Sequence, residues 1–186
     1  MSNIAVYSGS FNPLHIGHLA IMRHMTQKEG FDCVYLIVSP KNPLKEGISS
    51  SSGPERYAAA LEAAERHPDL KVHVDDIELN MPEPHYTIRT LEALREREPE
   101  NTFTLIIGAD NLADIRRWRD YSRILTEFGV AVFPRTGFDL KAIKSDLLTE
   151  DSAYKILITE AEMVDMSSTT IRNALAEGKD VSSWLM

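Results

Sequence analysis

Short apolar runs alternate with longer amphipathic stretches along most of the chain. Runs such as CVYLIV and FTLII are continuous rather than alternating, which is typical of strands that are covered on both faces. The predicted strands cover residues 4–8, 33–39, 71–74, 103–107, 130–133 and 155–158. The predicted helices cover residues 18–28, 54–66, 86–98 and 168–177, and residues 110–127 are predicted as a helical region. This order predicts an α/β fold that is doubly wound around a mainly parallel sheet.

The strand and helix rhythm continues on both sides of a polar, serine-rich stretch, KEGISSSSG, at residues 45–53. We therefore expect one domain over residues 1–186, with a loop rather than a linker at 45–53. The composition of this loop permits closure over a bound ligand.

Three polar segments each follow a predicted strand. SGSFNPLHIGH follows the first strand, IGADN follows the fourth, and SSTTIR comes after the last. In a doubly wound sheet, ligands bind beyond the carboxyl ends of the strands. We therefore expect all three segments at the same edge of the sheet, where they would form one site.

The charge and composition exclude several classes of protein. A net charge of −8 argues against nucleic acid as the main partner, because phosphate backbones bind basic surfaces. No window approaches the roughly 18 consecutive apolar residues of a membrane span, and the N-terminus lacks the apolar run of a signal peptide. We expect a cytoplasmic protein with no membrane partner. Cys33 is the only cysteine, so an internal disulfide and a Cys-based zinc site are excluded, and its apolar surroundings predict core packing.

Two histidines, His15 and His18, dominate the segment that follows the first strand. A glycine in a tight turn lets the backbone approach a ligand closely, and a helix start offers unpaired N–H groups that suit phosphate. Residue types alone leave four roles open: half of a zinc site, general base catalysis, loop structure without catalysis, or hydrogen bonds to phosphate oxygens. Zinc prefers three or four ligands, and no Glu or Cys lies beside the pair in sequence.

Two motifs resemble the signatures of a known superfamily. GSFNPLHIGHL resembles the His-x-Gly-His signature of the nucleotidyltransferases. MSSTTIRNAL, far downstream, resembles their second signature, Ile-Ser-Ser-Thr-x-Ile-Arg, with Met166 in place of the first isoleucine. Three further segments, HYTIRTLEAL, IIGADNLADIRRWRDYSRIL and PRTGF, are similar to the nicotinate-nucleotide adenylyltransferase family within it. Together with the strand pattern, the resemblance covers nearly the whole chain.

The resemblance implies a Rossmann-like nucleotidyltransferase fold and a specific reaction. That family joins nicotinate mononucleotide to ATP and releases nicotinate adenine dinucleotide and pyrophosphate, a step of NAD biosynthesis. The mononucleotide phosphate attacks the α-phosphorus of ATP in line, so the enzyme contributes positioning and charge stabilisation. The resemblance also implies Mg²⁺, held mainly by ATP phosphates and water. ATP and nicotinate mononucleotide are the expected partners, and a homo-oligomer stays open.

By the same resemblance, the first signature binds ATP. The backbone of Gly9, Ser10 and Phe11 borders the nucleotide. His15 and His18 contact its phosphates, with His18 the main contributor at the transition state. The alternative for each histidine is a purely structural role in the loop.

The second signature and a Gly-x-Asp motif complete the expected ATP site. Ser168 and Thr169 match the signature, and Arg172 would grip the β- and γ-phosphates as a third catalytic residue. The alternatives are a helix cap at Ser168 or its neighbour and a surface salt bridge at Arg172. Gly108 and Asp110 match the family's Gly-x-Asp, where the aspartate binds the ribose hydroxyls of the adenosine. Capping of the next helix by Asp110 is the alternative, and both roles can hold.

Four residues are candidates for binding nicotinate mononucleotide. Trp118 would stack on the nicotinate ring, with core packing as the alternative. Thr87, in HYTIRTL, would meet the nicotinate carboxylate at a helix start. Lys45 and Arg135 are weaker candidates for the mononucleotide phosphate, because each could equally be a solvated surface charge.

Other functions compete with this interpretation. An adenylyltransferase for nicotinamide mononucleotide differs only in an amide for a carboxylate, whereas Trp118 and HYTIRTL argue against phosphopantetheine as the substrate. The tetrapeptide HIGH also marks class I aminoacyl-tRNA synthetases, but their Lys-Met-Ser-Lys-Ser loop is absent from the sequence. A non-catalytic nucleotide sensor is the remaining alternative. The complete set of His15, His18, Asp110 and Arg172 argues against it.

Overall fold

The computed structural model of the protein describes residues 1–40 and 52–186. Its centre is a six-stranded sheet with the strand order β3-β2-β1-β4-β5-β6, and every neighbouring pair is parallel. The strands are β1 (Asn3–Gly9), β2 (Cys33–Val38), β3 (Val72–Asp75), β4 (Thr102–Gly108), β5 (Val130–Phe133) and β6 (Ile156–Ile158). The prediction of a doubly wound, Rossmann-like α/β fold is confirmed, and all six predicted strands are present.

Helices connect the strands. They are α1 (Ile16–Gln27), α2 (Gly53–Glu65), α3 (Thr87–Arg97), α4 (Ala109–Ala113), α5 (Tyr121–Arg123), α6 (Leu140–Glu150) and α7 (Ser168–Ala176). Short 3₁₀ helices cover Ile77–Asn80, Ile115–Arg117 and Ser182–Trp184, and a π-helical turn covers Ile124–Phe128. Helices α1, α2, α3 and α7 lie within two residues of their predicted bounds, whereas α6 was not predicted.

The helical region predicted over residues 110–127 is present as several short helical segments and not as one continuous helix. The chain leaves helical geometry at Trp118, which is extended, and at Asp120, whose φ of 51° is left-handed. The apolar spacing explains the break. Ile115 and Ile124 are fully buried, but the positions one and two turns after Ile115 carry exposed polar side chains such as Arg119 and Ser122. A straight helix could not bury both isoleucines on one face.

The core consists of two apolar layers, one on each face of the sheet. Alternate residues of β1 enter different layers: Ile4 and Val6 pack with one cluster, whereas Ala5 and Tyr7 pack with the other. This follows from the alternation of side chains along a strand. Cys33 packs, partly buried, against the first layer, and burial raises the pKa of its thiol. Central strands buried on both faces explain the continuous apolar runs of the sequence.

The predicted loop at 45–53 lies mostly outside the described residues, and so does Lys45. Its last two residues are structured, because Ser52 caps α2 and Gly53 is the first residue of that helix. Ser52 accepts a hydrogen bond from the Glu55 N–H, and the Glu55 side chain accepts one from the Ser52 N–H, which forms a capping box. Across the described ranges, no helix is long and apolar enough to cross a membrane.

Candidate active site

The loop between β1 and α1 carries the first signature. Phe11 takes a left-handed backbone conformation with φ of 47°, and its ring folds back over Gly9. A Cβ atom on Gly9 would lie 3.1 Å from Cζ of that ring, so the close approach favours glycine here. The loop therefore leaves the end of β1 in a tight turn, as expected for a segment that brings backbone close to a ligand.

His15 and His18 hold each other and the start of α1. His15 is the N-cap residue, and its Nδ1 accepts a hydrogen bond from the Gly17 N–H at 3.1 Å. Nδ1 of His18 accepts one from the His15 N–H, also at 3.1 Å, and the two rings stack with centroids 3.7 Å apart. Because Nδ1 is an acceptor in both rings, each neutral imidazole carries its proton on Nε2. Both residues thus keep an Nε2–H donor at the site.

Both imidazoles are neutral at pH 7. Burial and, to a smaller extent, the positive charge of Arg135 together lower the pKa of His15 to about 4. Burial also holds the pKa of His18 well below its ordinary value, with smaller contributions from His15 and Arg135. Both rings therefore present dipolar hydrogen-bond donors rather than cations.

The glycine between the two histidines is required by the same geometry. A Cβ atom on Gly17 would lie 2.9 Å from Cε1 and 3.0 Å from Nδ1 of His15. Any larger residue would push the His15 ring out of its place over the helix start. The glycine of the His-x-Gly-His signature is thus explained by the close packing of Gly17 against the ring of the N-cap residue, His15.

A cleft of about 810 Å³ opens beside the histidines, at the carboxyl edge of the sheet. Its size fits a nucleotide-sized ligand. The lining combines residues that follow β1, β4 and β5 with the stretch that leads into α7, and it includes His15, His18, Asp110, Arg135, Glu162, Met163, Asp165 and Ser168. The three segments that the sequence placed at one edge therefore do meet there.

Asp110 and Arg135 lie beside each other in the lining of the cleft. The Arg135 guanidinium lies over the Phe133 ring, 5.2 Å from its centroid, and its Nε is 3.9 Å from Oδ1 of Asp110. A Cβ atom on Gly108 would lie 2.6 Å from the same oxygen, so Gly108 makes room for the carboxylate. Asp110 does not cap α4, because the helix begins at Ala109 and Gly108 holds the N-cap position. The capping alternative for Asp110 is therefore wrong.

The second signature is hydrogen-bonded to the first. Ser167 caps α7 by accepting a hydrogen bond from the Thr170 N–H, so Ser168 is not the cap. Instead, the Ser168 hydroxyl donates to the Pro13 carbonyl at 2.9 Å. Arg172 donates from Nη1 to the Asn12 carbonyl at 2.7 Å. Two hydrogen bonds thus join the two signatures across the sheet edge.

A surface salt bridge was the alternative role predicted for Arg172. Among residues 1–40 and 52–186, Arg172 forms no salt bridge. Its Nη2 donates to the Thr169 hydroxyl at 3.1 Å. The guanidinium has five N–H donors, so further donors remain beyond these two bonds. In this arrangement Arg172 holds the first-signature loop and is not among the residues that line the cleft.

Of the four candidates for the pyridine nucleotide, Arg135 lines the cleft, whereas Thr87 and Trp118 do not. Thr87 is the first residue of α3, and the Arg119 guanidinium lies over the Tyr86 ring at 5.4 Å, which brings the Trp118 segment beside the start of that helix. Trp118 packs, partly buried, against the apolar core, so its core-packing alternative holds in part.

Comparisons with known proteins show the family to which the chain belongs. A family model described as Cytidylyltransferase-like matches residues 6–174. A probable nicotinate-nucleotide adenylyltransferase of Flavobacterium johnsoniae is 36% identical over 98% of this chain and 91% of its own length. A protein of the same description from Bacteroides fragilis is 39% identical over 97% of this chain and 85% of its own. This chain belongs to the nicotinate-nucleotide adenylyltransferase family.

A solved structure agrees with the family's fold. The Plasmodium falciparum nicotinic acid mononucleotide adenylyltransferase, solved in complex with NaAD, superposes with a TM-score of 0.76. The match covers 100% of this chain and 91% of that one, at 19% identity. At that identity the likeness concerns the fold alone. The chain therefore has the same overall fold as that solved adenylyltransferase.

Sequence reasoning missed Glu162, Met163 and Asp165 of the cleft lining, and it also missed the C-terminal residues of this adenylyltransferase family member. The last residues return to the histidines: Leu185 forms an antiparallel bridge with His15, and Met186 is buried with its carbonyl accepting from Nη2 of Arg66 at 2.9 Å. The segment DVSSWLM has no periodic pattern and no catalytic residue type that would have indicated this role.

Proposed function

We propose that this protein transfers the adenylyl group of ATP to nicotinate mononucleotide and releases pyrophosphate, the reaction of its family in NAD biosynthesis. One observation carries the proposal. Two neutral histidines, locked at the start of α1, hold Nε2–H donors at a cleft of nucleotide size between the ends of β1 and β4. The strand order reverses between β1 and β4, which is where doubly wound sheets bind nucleotides.

The histidines suit a direct displacement in which charge builds up on phosphate oxygens. Since the mononucleotide phosphate is already ionised, it needs no general base, and positioned donors supply the stabilisation. We assign His18 the larger contribution and His15 a supporting one, with Arg172 offering its remaining donors to the β- and γ-phosphates. The backbone of Gly9, Ser10 and Phe11, together with Gly108, Asp110, Ser168 and Thr169, would border the rest of ATP.

The pyridine nucleotide is assigned to the group around the start of α3. Tyr86, the N-cap residue, makes no side-chain capping bond, so the first N–H groups of the helix, including that of Thr87, suit a carboxylate. Trp118 would stack on the nicotinate ring from the neighbouring segment. Arg135 and Lys45 remain proposals for the mononucleotide phosphate.

We expect Mg²⁺ to accompany ATP and to neutralise charge on its phosphates. Over the described ranges, no group of three or more His, Cys, Asp or Glu is arranged to hold a metal ion. We propose that phosphate oxygens and water supply most of the ligands of this ion. A cytoplasmic location agrees with the substrates proposed.

The test is pyrophosphate release from ATP and Mg²⁺ with nicotinate mononucleotide, nicotinamide mononucleotide or phosphopantetheine. We expect the acid to be strongly preferred. The His18→Ala variant should lower kcat by about a hundredfold to a thousandfold, the usual effect of losing one transition-state donor. His67→Ala, which changes a histidine outside the cleft, is the matched control and should keep full activity.

Other outcomes would contradict the proposal. Equal or better use of the amide would remove the acid specificity assigned to Thr87 and Trp118. Turnover of phosphopantetheine alone would identify a different adenylyltransferase. No turnover of any of the three would favour the nucleotide sensor.

A further inference from the structure

A buried polar cluster lies behind the first-signature loop, on the β2 side of β1. It consists of Ser8, Ser39, Arg56 and Glu78, and we call it the Ser39 cluster. Arg56 and Glu78 are each only 4% exposed, and no member of the cluster lines the cleft. Burying charged side chains is costly unless they are well paired, so their presence at a nucleotide-binding edge requires an explanation.

Glu78 joins three elements of the fold. Its Oε2 accepts a hydrogen bond from the Ser8 hydroxyl at 2.9 Å and one from the Ser39 hydroxyl at 3.0 Å. Ser8 lies near the end of β1, Ser39 follows β2, and Glu78 belongs to the 3₁₀ helix Ile77–Asn80 after β3. The carboxylate therefore fixes the ends of two neighbouring strands against each other.

The same cluster binds two successive carbonyl groups of the first-signature turn. The Gly9 carbonyl accepts from the Ser39 N–H at 2.9 Å. The Ser10 carbonyl accepts from Nη1 of Arg56 at 2.8 Å, and the same Nη1 donates to the Ser39 carbonyl at 2.7 Å. Arg56 thus ties the turn after β1 to the residue that follows β2.

This arrangement determines where the N–H groups of the turn point. The peptide bonds after Gly9 and Ser10 are trans, so each N–H points opposite to the carbonyl of the same peptide. With both carbonyls held by the cluster, the N–H groups of Ser10 and Phe11 are turned away from it. Within the part of the chain that the structure describes, neither N–H has a hydrogen-bond acceptor. Two successive backbone donors on the far side of the turn from the cluster are thereby left without an acceptor among the described residues.

We propose that Arg56 and Glu78 are positioning residues for ATP. They hold the turn at Gly9 and Ser10 so that the N–H groups of Ser10 and Phe11 meet the nucleotide. The inference rests on the proposed function in that it takes ATP as the ligand of the first signature. It goes further by assigning a role to two buried charged residues outside both signatures and outside the cleft.

The experiment compares Arg56→Lys and Glu78→Gln with a matched control, Asp75→Asn. Lysine keeps the charge of Arg56 but not its planar, branched donor group, and glutamine keeps the shape of Glu78 without its charge. Asp75 is also a buried carboxylate, only 3% exposed, which pairs with Arg97 and accepts a hydrogen bond from the Ile77 N–H. It therefore supports the 3₁₀ helix that carries Glu78 without bonding Gly9 or Ser10, and its variant reports the effect of weakening that helix alone. Calorimetric titration gives Kd for ATP, steady-state kinetics gives KM for nicotinate mononucleotide, and thermal melting reports folding.

We expect Kd for ATP to rise about tenfold in Arg56→Lys and in Glu78→Gln, the equivalent of one charge-assisted hydrogen bond. KM for nicotinate mononucleotide should change by less than about twofold, a split that a merely structural role would not produce. Asp75→Asn should lower Tm and leave Kd for ATP unchanged. If both cluster variants fail to fold, Ser39→Ala, which removes a single hydroxyl, should still weaken ATP binding.

An unchanged Kd for ATP in the folded cluster variants would overturn the proposal. An equal rise of Kd for ATP and of KM for nicotinate mononucleotide in Arg56→Lys, Glu78→Gln and Ser39→Ala would also overturn it, because it would indicate general damage to the fold. The proposed function fails separately: a wild-type protein that binds ATP but does not use nicotinate mononucleotide would refute it, and Kd for ATP would still decide the role of Arg56 and Glu78. A wild-type protein that does not bind ATP would overturn both.

Discussion

At the scale of single residues, the two histidines have a structural and a chemical role at once. Their Nδ1 atoms cap α1 and hold the loop, and the same bonds direct the remaining proton of each ring to Nε2. The residue types in the sequence suggested a structural role and a phosphate-binding role as alternatives, but they could not show that both hold at once. The combination depends on stacking at 3.7 Å and on burial, neither of which follows from spacing alone.

The lowered pKa of His15 predicts a pH dependence of stability. Its pKa is about 4 in the folded protein against 6.5 for an unperturbed histidine, so between these values the unfolded chain binds more protons than the folded one. The free energy of unfolding should therefore fall as the pH drops from 6.5 towards 4. His15→Asn keeps an N-cap acceptor but does not titrate.

Urea unfolding at pH 7.5 and pH 5.0 measures this effect. The wild-type protein should lose about 2 kcal/mol more than His15→Asn between the two pH values, because the pKa of His15 is about 4 in the folded protein against 6.5 in the unfolded chain. Equal losses in the two proteins would show that His15 is not held neutral by the fold.

At the scale of secondary-structure elements, the start of α7 divides two tasks between adjacent serines. The sequence predicted that Ser168 or a neighbour would cap the helix. In the structure Ser167 caps it, which leaves the Ser168 hydroxyl to bind the first-signature loop at Pro13. One serine therefore supports the helix and the other supports the site.

This division predicts different consequences for Ser167→Ala and Ser168→Ala. Loss of the cap should lower the free energy of unfolding by about 1 kcal/mol, with little change in KM for ATP. Loss of the Ser168 bond should raise KM for ATP several-fold with a smaller change in stability, because it frees the loop that carries the histidines. Urea unfolding and steady-state kinetics on both variants check this. The reverse pattern would mean that Ser168 supports the helix rather than the loop.

Strands were predicted better than helices, for a physical reason. Buried parallel strands leave continuous apolar runs in the sequence, which are easy to recognise. Residues 110–127 have the composition of a helix throughout, so the composition does not reveal that the backbone breaks at Trp118 and Asp120. The sequence does contain a pattern that indicates α6, although that helix was not predicted. Leu140, Ile143 and Leu147 recur at helical spacing behind Asp139, which caps the helix through the Ala142 N–H.

At the scale of the whole molecule, the strand order brings distant segments together. The sequence predicted that segments after the first, fourth and last strands would share one edge, and the cleft contains residues from all three. It could not predict that β1 lies between β2 and β4, which creates the reversal point beside the histidines. Nor could it predict the return of Leu185 to His15 or the buried Ser39 cluster, because these contacts join residues far apart in the chain.

The central claim is direct transfer of the adenylyl group at this cleft, without a protein-bound intermediate. It is tested by incubating the wild-type protein with nicotinate mononucleotide, Mg²⁺ and ATP labelled at the α-phosphorus. The account predicts that the label appears in a dinucleotide in an amount equal to the pyrophosphate released, with none bound to protein. Label trapped on the protein, or released as AMP or ADP, would contradict it.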